Sequence, residues 1–183
     1  MNLLDFSSRW VIRCATFGRT AMTALMALCT IFTAHPVYAQ SGAPSTTQGK
    51  FTLNGTPIEF RHAYASQATS RRSGKVETFL ILTDKPLSAK AISDESERGS
   101  AAQRDKINWI EIKLDDKRNV LSTYLEVMPL RGNVMSSNLK LTFDTYTEKA
   151  LNGRFHSERE DRAFSHAYSF DLRFDALMAA PLK

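Results

Sequence analysis

Two copies of one tripeptide hold the residue types best suited to chemistry: His62-Ala63-Tyr64 and His166-Ala167-Tyr168. An imidazole can exchange a proton near neutral pH or ligate a metal, and a phenol can donate a hydrogen bond. Each copy lies in a run whose apolar residues fall at every second position, so strand geometry places His62, Tyr64, His166 and Tyr168 on the apolar face. If the two strands are neighbours in a closed or nearly closed sheet, the four side chains converge on one interior spot. They would then form a small polar binding pocket, or half a metal site without carboxylate ligands. The plainer account makes them core residues whose polar atoms are hydrogen-bonded to one another or to backbone carbonyls. Neither account calls for a cofactor, and no metal is assigned. His156 alternates with Phe155 and is expected to face solvent.

Other constellations are weaker. General acid and base work needs two carboxyl groups in different environments, but Asp94-Glu95, Asp115-Asp116 and Glu158-Arg159-Glu160-Asp161 read as solvated loops. No nucleophile elbow, phosphate loop, zinc-protease helix or calcium loop is present. Asn54-Gly55-Thr56 matches a glycosylation sequon, yet Pro57 follows and a tight turn explains it better. Arg71, Arg72 and Lys75 make a basic loop whose attraction for anionic lipid or polysaccharide would be screened by salt. Trp109 alternates away from Ile110, Ile112 and Leu114, so it should lie with Ile107 on the outer face, where an exposed patch would be a partner site and a covering helix or second sheet is the favoured reading.

The elements that must position these residues are mostly strands. Phe51 and Leu53, then Asn54-Gly55, then Ile58-Phe60-His62-Tyr64 predict a hairpin with a two-residue turn. Ser66 to Gly74 reads as a polar loop, and Val76 to Thr83 as a central strand apolar on both faces. Leu87 to Lys106 predicts a short helix with a flexible remainder, a segment that could serve as a lid. Ile107 to Leu114 and Val120 to Met128 form a second hairpin across Asp115–Asn119. Pro129 to Asn133 reads as a loop, Leu139 to Phe143 and Leu151 to Ser157 as strands. The last strand alternates Phe164, His166, Tyr168, Phe170, Leu172 and Phe174 against polar residues. A strand so long has to bend around a core. The expected fold is mainly β, an antiparallel barrel-like or curled sandwich of about eight strands with one short helical insertion.

The first 39 residues read as a signal peptide: basic Arg9, Arg13 and Arg19, an apolar stretch from Ala21 to Ala34, and a small-residue exit at Val37-Tyr38-Ala39. That apolar stretch is shorter than the roughly 20 residues a membrane-spanning helix needs, so no transmembrane helix is expected in the mature chain. Cleavage after Ala39 removes Cys14 and Cys29, which leaves no disulfide and no thiol chemistry. Leu28 before Cys29 is too large for a lipoprotein signal. Removing 39 of 183 residues leaves 144, enough for a core without crosslinks: a flexible leader over 40–48 and one β domain over 49–183. The loss of three arginines and Asp5 lowers the net charge from +5 to +3, which does not point to nucleic acid.

Five segments together resemble a group of small exported bacterial β domains without an assigned activity: Gly49–Gly55, His62–Ala65, Leu80–Leu87, Leu151–Phe155 and Tyr168–Ala176. The resemblance implies a bacterial source and hence a periplasmic or secreted protein, and it carries over no catalytic residue. The reading that follows is a non-catalytic binding or interaction module of the cell envelope, with an envelope protein, a glycan or a small ligand as partner. The alternatives are a hydrolase or metal-dependent enzyme built on His62, Tyr64, His166 and Tyr168, and a structural or secretion-accessory role.

Overall fold

The computed structural model describes residues 45–179. The leader, its cleavage site, both cysteines and residues 40–44 lie outside the described residues. Among those described, the strands are β1 (Thr46–Leu53), β2 (Thr56–Glu59), β3 (His62–Thr69), β4 (Val76–Thr83), β5 (Trp109–Leu114), β6 (Val120–Val127), β7 (Leu130–Val134), β8 (Leu139–Tyr146), β9 (Ala150–Ser157), β10 (Asp161–Ala163) and β11 (His166–Leu177). Helices α1 (Ala89–Ser93) and α2 (Glu95–Asp105) interrupt them between β4 and β5. The strands form one antiparallel sheet in the order β7-β6-β5-β4-β3-β1-β11-β9-β8, with β2 on β1 and β10 on β11. The sheet curls into a half-barrel, as the barrel-like expectation holds, with more strands than expected.

The Asn54-Gly55 turn forms where expected. Both residues have positive φ, 48° and 82°, and Leu53 pairs with Thr56. The strand expected to continue from Ile58 to Tyr64 breaks at Phe60-Arg61. Arg61 donates its N–H to the Thr83 carbonyl, and its own carbonyl accepts from Thr47. β2 stays on β1 while β3 crosses to β4, and the break shifts the alternation by one residue. Phe60, Ala63 and Ala65 therefore enter the core, and His62 and Tyr64 turn to the opposite face. This corrects the placement of those two residues on the apolar face.

Three other segments depart from expectation. The stretch read as a flexible remainder is helix α2, because the Asp94 carboxylate accepts from the N–H groups of Ser96 and Glu97 and starts a new helix directly after α1. Pro129 to Asn133, read as a loop, contains β7, whose Leu130 and Val134 reach the core on either side of Gly132. The last strand starts at His166, not Phe164. Phe164 and Ser165 both have positive φ and turn the chain from β10 into β11, leaving the Phe164 ring against Gly132, where a Cβ would stand 2.8 Å from it. Strand β1 begins at Thr46, and β3 runs on to Thr69, so the basic loop is shorter than expected.

The curl brings one face of the sheet together as a single core, from Phe51 and Leu80 through Ile112 and Leu125 to Phe155 and Phe170. Phe51 stacks on Tyr168 and Phe170 with centroids 6.0 and 5.5 Å apart. Contacts across the curl hold the far end of β8: the Tyr146 hydroxyl donates to Thr78 Oγ1 at 3.0 Å, and the Arg118 guanidinium lies 4.5 Å over the Tyr146 ring.

Phe170 and Leu172 are buried in that core. Truncating either to Ala should cost about 2 to 5 kcal/mol through the cavity left behind, read as a shift of the denaturant midpoint. A second expectation concerns pH. Burial, with a smaller push from Asp161, raises the Tyr168 phenol to about 12, whereas an unfolded tyrosine ionises near ~10. The neutral phenol is thus favoured by folding: its contribution is intact below the unfolded pKa and is lost as pH rises from there to about 12. Phenolate absorbance should show the last tyrosine to titrate in the wild type to be missing in Tyr168→Phe.

Candidate functional site

Cross-strand register on the outer face sets out two rows. One runs His62–Thr83–Trp109–Glu126–Arg131 across β3, β4, β5, β6 and β7, and the next runs Tyr64–Ile81–Glu111–Tyr124–Asn133. Directly opposed residues on one face of a sheet touch, so each row is a ladder of neighbouring side chains. Trp109 lies 5.1 Å from Tyr124, centroid to centroid. The helix pair covers the middle of this face, with Ala102 of α2 packed against Ile81 and Trp109. Trp109 is therefore outward-facing and covered by a helix, as expected.

What holds the helices there is Arg98. Its Nη1 donates to the carbonyls of Ala91 and Ile92 in α1 at 2.8 and 3.1 Å, and its Nη2 pairs with the Glu111 carboxylate of β5. The guanidinium also lies 5.0 Å over the Trp109 ring. Both side chains of the pair are buried, 3% and 7% exposed, so neither charge is shared with water. Burial pushes the Glu111 carboxyl up, with Glu95 adding to the push, against the pull of Arg98. Tyr64 anchors the start of the insertion by accepting the Leu87 N–H at 3.0 Å, and its phenol is raised by burial.

The helices stop short of the end of the first row. Between the last turn of α2 and the β6–β7 turn lies a cleft of about 600 Å³. Its apolar walls are Ile58, Ala102, Ile107 and Met128, and Met128 stands 68% exposed at the rim. Its polar groups are Gln103, Lys106, Asn108, Glu126 and Arg131. Glu126 is 4% exposed and is held from two sides: Arg131 Nε lies 2.9 Å from its carboxylate, and the Tyr124 hydroxyl donates to it at 3.0 Å. Arg131 Nε also donates to the Tyr124 oxygen at 3.2 Å. Asn108 is oriented by Asp84, which accepts from its backbone N–H at 2.9 Å and its Nδ2 at 2.6 Å. Apolar walls with a few fixed polar groups are what an amphipathic small molecule needs for both affinity and orientation.

The four residues singled out by the repeated tripeptide do not meet. His62 and Tyr64 lie on the outer face, their rings stacked 6.4 Å apart. Burial, then the nearby Arg61, holds the His62 imidazole below its ordinary value, against a smaller upward pull from Asp84. Tyr168 is in the core on the opposite face, and His166 sits beside the first turn, its Nδ1 3.0 Å from Asn54 Nδ2. β1 pairs with His62 at Thr46 and with Tyr168 at Leu53, which sets the two copies about 23 Å apart along that strand. The strands that carry the two copies, β3 and β11, are separated by β1, and the histidines are at opposite ends of it. Arg98, Glu111, Glu126 and Arg131 were not singled out. Their signal is parity: Glu111 and Glu126 interrupt apolar runs at positions sharing a face with Trp109 and Tyr124.

Among the described residues, no three histidine, cysteine, aspartate or glutamate side chains gather as a metal site, and no helix is long and apolar enough to cross a membrane. The chain matches no family model, no curated protein and no solved structure.

The ion pair gives a direct expectation. Arg98→Ala or Glu111→Ala alone should cost about 3 to 5 kcal/mol, because each leaves a buried charge unpaired. Arg98→Met combined with Glu111→Leu should recover most of that loss in denaturant unfolding.

Proposed function

We propose that this chain is an exported bacterial cell-envelope domain that works as a non-catalytic binding module and takes a small amphipathic ligand in the cleft beside α2. The observation that carries this reading is the cleft itself, with apolar walls from four separate segments and the Glu126–Arg131–Tyr124 cluster fixed at its end. Lys106 and Arg131 against Glu126 give its lining a surplus of positive charge, which favours a ligand with an apolar body and an anionic end. Met128 at the rim has the unbranched, adaptable side chain that accommodates varied apolar shapes. Export and a periplasmic or secreted location rest on the tripartite leader. The competing enzyme reading draws on His62, Tyr64, His166 and Tyr168, which stand on opposite faces of the sheet.

Two probes with that chemistry, anilinonaphthalene sulfonate and dodecanoate, test the reading. Each should bind the purified protein saturably and compete with the other, and Trp109 fluorescence should respond, since its row ends in the cleft. Gln103→Trp, which fills the opening, should weaken both by roughly tenfold or more. Absence of saturable binding, or binding indifferent to Gln103→Trp, refutes the site.

A further inference from the structure

Among the described residues the sheet ends on β7 and β8, and no strand pairs with either on its outer side. β8 is the longer edge and its charges are ordered. In Leu139-Lys140-Leu141-Thr142-Phe143-Asp144 the apolar residues are partly buried against the core, while Lys140, Thr142 and Asp144 are exposed. The Glu158 N–H donates to the Asn138 carbonyl at 2.9 Å, and β8 then pairs Lys140 with His156 and Thr142 with Arg154. In an antiparallel ladder every second pair exchanges both hydrogen bonds, so Asn138, Lys140 and Thr142 are bonded to β9, ahead of the bulge at Asp144, which has no β9 partner. Leu141 and Phe143 accordingly turn their N–H and C=O groups to the open edge. Such an edge is a template for another strand.

The charge order says which strand. Reversed about Thr142, the segment complements itself: Lys140 falls opposite Asp144 of a second copy, and Leu141 opposite Phe143. The outward backbone groups of Leu141 and Phe143 then meet each other as fully bonded pairs. Centring the pairing on Lys140 or on Asp144 instead sets like charges face to face, which is disfavoured. Exposed lysine on an edge strand ordinarily blocks sheet extension; here it favours the register centred on Thr142, which sets Lys140 opposite a carboxylate, over those centred on Leu141 or Phe143, which set it opposite no charge. Lys140 has only a loose exposed neighbour, Glu158 at 3.7 Å, to give up. The ladder to β9 shifts between Phe143 and Thr145, a bulge that bends β8 and confines a shared ladder to the residues around Thr142.

We propose that β8 is a self-pairing edge through which two copies of this chain join antiparallel about a two-fold axis at Thr142. The shared ladder is short, so the dimer forms in a concentration-dependent way. Its two symmetry-related Lys140–Asp144 pairs are exposed and weaken as salt is raised.

Sedimentation of the purified protein over a range of concentrations tests this. Wild type should associate to a dimer. Lys140→Asp and Asp144→Lys, each placing like charges opposite twice over, should weaken it by roughly tenfold or more. The combined Lys140→Asp/Asp144→Lys exchange should restore it. Both positions are exposed, and unchanged circular dichroism checks that each variant is folded. A monomer at every concentration, or a dimer indifferent to the single changes, overturns the proposal.

Discussion

A sheet that is apolar on both faces has to be covered twice, and this chain covers its two faces by different means. β4 and β5 are buried nearly throughout, on both sides. The inner face is covered when the sheet curls on itself and joins residues from both ends of the chain in one core. The outer face depends on an eleven-residue helix with a weak apolar stripe. Alanines alone would hold such a helix loosely. Arg98 supplies the missing constraint, since its planar fork is shared between two α1 carbonyls and the Glu111 carboxylate. A buried ion pair adds little net stability over apolar packing, but it permits few other arrangements of the same parts.

The cleft follows from that arrangement. α2 lies where Arg98 meets Glu111, and from there it reaches Trp109 but not Glu126. The outer row is therefore covered at Trp109, and beyond the buried Glu126 it opens at Arg131. Tyr124 connects the two zones, packing against Trp109 on one side and donating to Glu126 on the other. Anything that alters the docking of α2 also alters the width of the opening, because Ala102 and Gln103 belong to that helix and Lys106 is its C-cap.

The edges of the sheet are treated unequally. β7 is short, and the Phe164 ring lies over the face of the strand at Gly132. β8 has only charge and a bulge to control what pairs with it.

Local interactions made much of this fold legible in the residues. Asn54-Gly55 accepts the left-handed turn, β4 is apolar on both faces, Asp115 closes the β5–β6 turn by accepting from Lys117 and Asn119, and Trp109 alternates outward. Alternation identifies the residues that share a face only while a strand is unbroken. The crossing at Phe60-Arg61 inverts it for His62 and Tyr64, and no local propensity announces that crossing, because its hydrogen bonds go to Thr47 and Thr83 on other strands. Phe164-Ser165 likewise takes a left-handed turn without an asparagine or glycine to mark it. The sequence by itself determined the strand content, the central strands, the tight turns and the outward face of Trp109, all set by contacts within a few residues. Tertiary structure alone decided the site, because Arg98, Glu111, Tyr124, Glu126 and Arg131 meet only through the register of three strands and the landing point of a helix.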